Sequence, residues 1–283
     1  MATDAVHETF WEGFRGAMET TPSDAWELLK NYMEVVLARH QFAAGAVHVD
    51  AALEALRETF GPADPNVQAM YEEHVLCCNS VAMQSLGGGS RRAFDRKALD
   101  VSDSHTVPDG PTAACFKDDA ARKRLRGITL NNFACYFKKH GKLHTAIHYL
   151  EKTLKIEATI SGVENPAGTH LNICAILSEM GRHVPAADHA RCAIELLKHE
   201  RRECTSNNDA KNGDSLLAIA YYNYGVELEH LRKFELAAAA YGKGHAVAAK
   251  ELNPNHPMIH AIYQAMLDAQ QRVASRKGYS TPR

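Results

Sequence analysis

Aromatic side chains are scarce in this chain, at 7% of 283 residues, although hydrophobic residues as a whole reach 45%. A core of that kind is built mainly from Ala and Leu, which suits helices that approach one another closely. No run of eighteen apolar residues occurs, which argues against a membrane-spanning helix. The opening MATDAVHETFWEGF has no apolar h-region and carries acids early, so a secretory signal is not expected. The closing STPR matches no common C-terminal address. These absences leave the cytosol as the expected compartment.

Charge of one sign is missing too: the formal net charge is −2, which argues against a generally basic nucleic-acid binder or an acidic tail. Neither interleaved aromatics nor a nucleic-acid reader motif accompanies the basic residues. The seven cysteines include no CxxC pair, which speaks against a disulfide framework or a cysteine zinc site. Small buried thiols are expected instead. Gly87-Gly88-Gly89-Ser90 lacks the lysine of a phosphate-binding loop and follows a helical pattern, so it reads as a hinge. His140, His144 and His148 are spaced by four, but Gly141-Lys142 interrupts the helix that would align them for a metal. Cys135 and His140 share one helix with no third group to orient a base. The chain therefore reads as a non-enzyme without cofactor or metal.

What is present is helical periodicity. Leu130–Ile156 divides into two short amphipathic helices joined at Gly141-Lys142, with Phe133, Ala134 and Phe137 on one face and Ala146, Leu150 and Leu154 on the other's. So short a pair cannot bury its apolar face alone, and copies follow at Leu171–Leu197 and Tyr222–Val247. Earlier in the chain, Gly13, Gly16 and Thr20-Thr21-Pro22 interrupt a first apolar face. A helix is expected from about Ala25 to His40, Gly45 is expected to break the chain, and a further helix runs from about Val47 to Phe60. Another opens after Asp64-Pro65. Val101–Asp119 has two prolines and no apolar period, which predicts an exposed loop. Asn253-Pro254 and His256-Pro257 introduce a last helix with a polar face, suited to capping a solenoid.

Six positions recur in register. The first copy has Ala134, Phe137, Gly141, Ala146, Leu150 and Thr153. The second has Cys174, Leu177, Gly181, Ala186, Ala190 and Ala193, and the third Gly225, Leu228, Arg232, Ala237, Tyr241 and Gly244. This alternation of small and large residues resembles the tetratricopeptide repeat (TPR). Repeat centres lie 40 and then 51 residues apart. That spacing, the LNNFA opening and the Asn-Pro-Asn-His-Pro junction most resemble the kinesin-light-chain-like branch. The resemblance implies an all-α, right-handed solenoid of antiparallel helix pairs with helix extensions. Residues 1–62 would form an N-terminal helical segment, 63–101 a degenerate repeat, and 102–120 a loop. The array and its cap would span 121–277 and a tail 278–283.

The resemblance also implies a concave groove for an extended peptide. Asn132, Asn172 and Asn223 stand two positions before each small residue, with Asn79 as a candidate fourth, and in the family that position faces the groove. A carboxamide donates and accepts, so it can hold a peptide backbone whatever the side chains. The alternative is that these amides satisfy neighbouring helix backbone or face water. Flanking groove positions would be Asn131, Cys135, Lys138 and Lys139, then Leu171, Ala175 and Ser178, then Ile219, Tyr222 and Val226. Chaperone-binding members use several groove cations, and here only the first repeat's end is basic. The expected partner is therefore a protein segment with apolar side chains and an acidic end, not nucleic acid or membrane. Arg122, Lys123, Arg124 and Arg126 form a basic cluster, read either as a solvated face or as a surface for an acidic partner. The rival function is a structural subunit embedded in a cytoskeletal or ciliary assembly.

Overall fold

Helix α1 (Ala2–Thr20) runs unbroken through Gly13 and Gly16, because its apolar face is buried against the next helix. Phe10 and Phe14 are buried, and the Phe10 ring stacks on Tyr32 at 4.1 Å. Tertiary burial outweighs the cost of two helical glycines, which is about 1 kcal/mol each. The computed structural model describes residues 2–20, 22–38, 42–84, 115–160, 166–203 and 207–278, and the eleven helices among them account for the fold. The chain forms two compact units, Met1–Gly162 and Val163–Arg283.

The first unit continues with α2 (Pro22–Ala38), α3 (Phe42–Phe60), α4 (Pro65–Gln84), α5 (Asp119–Lys139) and α6 (Leu143–Glu157). Gly45 lies inside α3 and does not break it. A Cβ there would meet Val36 Cγ1 at 2.5 Å, so the glycine is required by the close approach of α2. Leu29, Val36, Val49, Met70, Val75 and Cys78 form the centre of the core. The expected loop is shorter at its end than the sequence suggests: Cys115 and Phe116 are buried in this same core. The Gly87–Gly89 hinge, the rest of the expected degenerate repeat after residue 84 and loop residues 102–114 lie outside the described residues. Asp118 then caps α5, its carboxylate accepting from the Ala121 amide at 2.6 Å.

The second unit comprises α7 (Pro166–Glu179), α8 (His183–Glu203), α9 (Asn207–His230), α10 (Phe234–Glu251) and α11 (Pro257–Gly278). The polar stretch from Arg201 to Asp214 is largely helix, as α8 extends to Glu203 and α9 starts at Asn207. Successive helices pack as hairpins, and α7 also touches α9.

The three repeats share one turn geometry. Gly141, Gly181 and Arg232 adopt left-handed backbone with φ of 69°, 73° and 59°. The following amide reaches back to the carbonyl of the large residue: Lys142 to Phe137 at 2.9 Å, Arg182 to Leu177 at 2.8 Å, and Lys233 to Leu228 at 2.8 Å. These are Schellman closures, which return carbonyls that the helix end leaves unpaired. The alanines that follow, Ala146, Ala186 and Ala237, are fully buried. In the third repeat the small position is Gly225, where a Cβ would lie 2.4 Å from Tyr241 Cε1.

Two opposite stability effects follow in the third repeat. Gly225→Ala must displace a ring that is only 1% exposed, so it is expected to destabilise by about 1–3 kcal/mol. Arg232→Gly relieves a left-handed conformation unfavourable to a side chain and is expected to stabilise by up to about 1 kcal/mol. Urea unfolding of both variants measures the two signs; a stabilised Gly225→Ala would contradict the packing described.

Candidate functional site

The three asparagines expected to line a groove do not share one environment. Asn132, in the first unit, is 8% exposed, and its amide nitrogen donates to Asn79 Oδ1 at 3.2 Å. The Asn79 amide in turn donates to Thr129 Oγ1 at 3.0 Å, and that hydroxyl donates to the Leu125 carbonyl at 3.0 Å. This polar chain lies buried between α4 and α5. Asn132 thus departs from its expected place: its carboxamide serves helix packing, as a buried amide without partners would be costly. The candidate fourth asparagine, Asn79, is part of the same network. Asn131 and Cys135 are half-buried on α5, Lys138 is half-buried and Lys139 is exposed.

In the second unit, Asn172 on α7 and Asn223 on α9 remain half-buried, as do Ala175, Ser178, Ile219, Tyr222 and Val226. Leu171 departs from expectation: it is 6% exposed and packs with Ala167, Ile194 and Leu217 inside the core. Its neighbour in sequence, Asn172, is therefore turned to a different face of α7, as one helical residue step requires. Tyr222 leans on Tyr241 with ring centroids 5.7 Å apart. The described row is thus two carboxamides among partly exposed apolar side chains on two contacting helices.

The basic cluster at the start of α5 is less open than a solvated face. Arg122 is 9% exposed and pairs with Asp119, which also binds Lys123 Nζ at 2.7 Å. The hydrogen bonds from Lys123 and Arg122 hold the Asp119 carboxyl below its usual range. Of the spaced histidines, His140 is bound to the Tyr136 carbonyl at 2.8 Å, and His144 and His148 are exposed. Among the described residues, no group of three or more His, Cys, Asp or Glu is placed to hold a metal ion.

Buried polar pairs that sequence reasoning missed lie between helices. His183 Nδ1 binds Glu227 Oε2 at 2.8 Å, with Glu227 only 2% exposed, and the His183 ring stacks on His230 at 4.0 Å. His170 and His189 meet Nδ1 to Nδ1 at 2.9 Å, so one ring must donate and the other accept. Burial, and then the His189 charge, hold His170 below the ordinary histidine range. Cys174 on α7 is buried, its thiol pushed up to about 12 by burial and then by Glu227. A thiol so neutral is no nucleophile at physiological pH.

Comparison with solved structures places this geometry. BtubC (BKLC) from P. vanneervenii is similar over 87% of this chain and 94% of that one, at 18% identity and a TM-score of 0.55. The fold is an all-α, TPR-like helical repeat. A Podosopora anserina protein described as kinesin light chain, with nearly identical TPR-like repeats, covers 77% of this chain and 90% of that one. It shows 14% identity and a TM-score of 0.44. No family profile matches the sequence. No curated protein matches it either.

The two depressed histidines set a pH dependence. Burial also lowers His48, which accepts the Trp11 indole N–H at 2.9 Å and stacks on His7. Both imidazoles bind a proton less readily in the fold than in the unfolded chain, which takes up protons near pH ~6.5. Their contribution to stability is thus present above pH ~6.5 and lost as the pH falls below it. Urea midpoints measured on stepwise acidification should fall, and a His48→Gln/His170→Gln variant should show a shallower slope. An unchanged slope would refute the assignment.

Proposed function

We propose that this protein is a noncovalent scaffold whose second unit receives an extended segment of a partner protein along α7 and α9. The observation that carries this reading is the row of Asn172, Ala175, Ile219, Tyr222, Asn223 and Val226, all half-buried on two contacting repeat helices. Half-buried apolar side chains beside carboxamides suit a chain that brings its own backbone amides. Each carboxamide has two donors and two acceptor lone pairs, so an internal hydrogen bond does not exhaust it. Asn172 and Asn223 hold the segment's backbone, while Tyr222, Ile219 and Val226 select its side chains. Asn132 is assigned no part in capture, because it is buried at 8% exposure within the α4–α5 network. Asn131, Cys135, Lys138 and Lys139 form a separate, more polar row on α5.

The magnitudes are modest. A neutral hydrogen bond contributes about 0.5–1.5 kcal/mol net, so two carboxamides orient a segment and the apolar contacts supply most of the affinity. A peptide selected against the intact protein from a random displayed library provides the probe. Replacing Asn172 and Asn223 together by Ala should weaken that peptide by about five- to 150-fold, the equivalent of about 1–3 kcal/mol, with unchanged thermal unfolding. Unweakened binding by the folded double variant would sink the mechanism.

A further inference from the structure

Three helix faces of the second unit converge on a trough whose side chains the α7 and α9 row does not use. Helices α8 and α10 both pack against α9. One wall carries Lys198, Arg201 and Arg202 of α8, whose spacing places them on one side of that helix. The other carries Lys243 of α10, followed at the same spacing by Ala246 and Val247. Leu217 and Tyr221 of α9, 3% and 7% exposed, close the bottom. The trough has a volume of about 410 Å³, and no acidic side chain is among the described residues that line it. In a chain of net charge −2, so dense a group of cations is local and does not follow from composition. The Lys198 ammonium stands over the Tyr221 ring, 5.4 Å from its centroid, a cation–π contact that holds it toward the trough.

We propose that this trough binds a nucleoside polyphosphate, with the phosphates between the α8 cations and Lys243 and the base on the apolar part of the lining. Four cations in so small a volume call for an anion whose charges are equally concentrated, and a di- or triphosphate puts several on adjacent groups. The two guanidinium groups suit that chemistry, because their planar forks match pairs of phosphate oxygens. Inorganic phosphate would leave the apolar side chains unused. Ala246 is exposed and Val247 half-buried in the same trough, and a flat ring laid on them removes both surfaces from water. The volume falls in the range of about 300–1,000 Å³ usual for small-molecule sites. All four cations are exposed, so their attraction weakens with salt.

The test uses the intact protein and ATP carrying a fluorescent N-methylanthraniloyl group on its ribose, read by anisotropy and competed with unlabelled compounds. Unlabelled ATP should compete at least about fivefold better than inorganic tripolyphosphate, because only ATP covers the apolar lining. A Lys198→Glu/Lys243→Glu variant should bind ATP at least about tenfold more weakly, since attractions are lost and repulsions are added. Should that variant not fold, Lys198→Gln/Lys243→Gln should still lose at least about threefold. Val247→Ser should weaken ATP and leave tripolyphosphate unchanged. Lys155→Glu on α6 and Asn172→Ala/Asn223→Ala should both bind ATP as the wild type does. Wild-type affinity in a folded charge variant, or loss of ATP in either control, would overturn the site. Tripolyphosphate competing as well as ATP would overturn the nucleotide in favour of a bare anion site. Sedimentation with vesicles of phosphatidylcholine and phosphatidylinositol bisphosphate, lost in the charge variant, would assign the phosphates to a lipid headgroup and overturn the soluble ligand.

Discussion

How closely two helices of a hairpin can approach is the constraint on which the repeats depend. The small position on the first helix and the large position on the second vary against each other. Ala134 stands with Leu150, Cys174 with Ala190, and Gly225 with Tyr241. Where the second helix carries its bulkiest residue, the first carries none beyond the backbone, and the missing Cβ is the space the tyrosine ring occupies. Interiors packed to crystal-like density permit little else, since a methylene too many must displace a neighbour. At the next small position, a Cβ on Gly244 would meet Tyr221 Cβ at 3.0 Å and the Ala218 carbonyl oxygen at 3.3 Å. The third hairpin is thus tightly fitted on both sides, and its α10 packs against both α9 and α11.

The left-handed turn complements that fit by fixing where the second helix starts. Because the same amide-to-carbonyl closure recurs after Phe137, Leu177 and Leu228, the buried alanine nine residues later arrives at the same place each time. Arg232 fulfils the geometry without being glycine. Its carbonyl accepts from Arg276 Nη1 at 3.1 Å, while Arg276 and Arg272 both lie over the Phe234 ring. The last helix thereby braces the one turn of the three that lacks a glycine.

These repeats were legible in the sequence because their determinants are local. Six positions within one hairpin carry the pattern, and the turn falls where Gly141 and Gly181 stand. What was not legible depends on partners distant along the chain. Gly45 looks like a breaker until Val36 of another helix is placed against it. Cys115 and Phe116 look like loop until the core that buries them is assembled. Asn132 has the expected spacing, yet its hydrogen-bond partner is Asn79, which no helical period links to it. Leu171 likewise follows the register and still turns inward. The basic cluster visible in sequence at Arg122 is also tied up by Asp119, which pairs with Arg122 and Lys123.

The thiols have a consequence of their own. Cys77 and Cys174 are pushed up to about 12 by burial, and Cys78 and Cys115 are enclosed in the first unit's core. At neutral pH a thiol of that acidity is ionised to only about one part in 10⁵, so oxidants and alkylating reagents find no nucleophile there while the helices stay closed. Cys135 and Cys192 are half-buried and meet solvent more readily. The native molecule thus carries its own chemical clocks: sealed sulfurs in each unit that react only when the surrounding hairpins part, timing local opening without any label being installed.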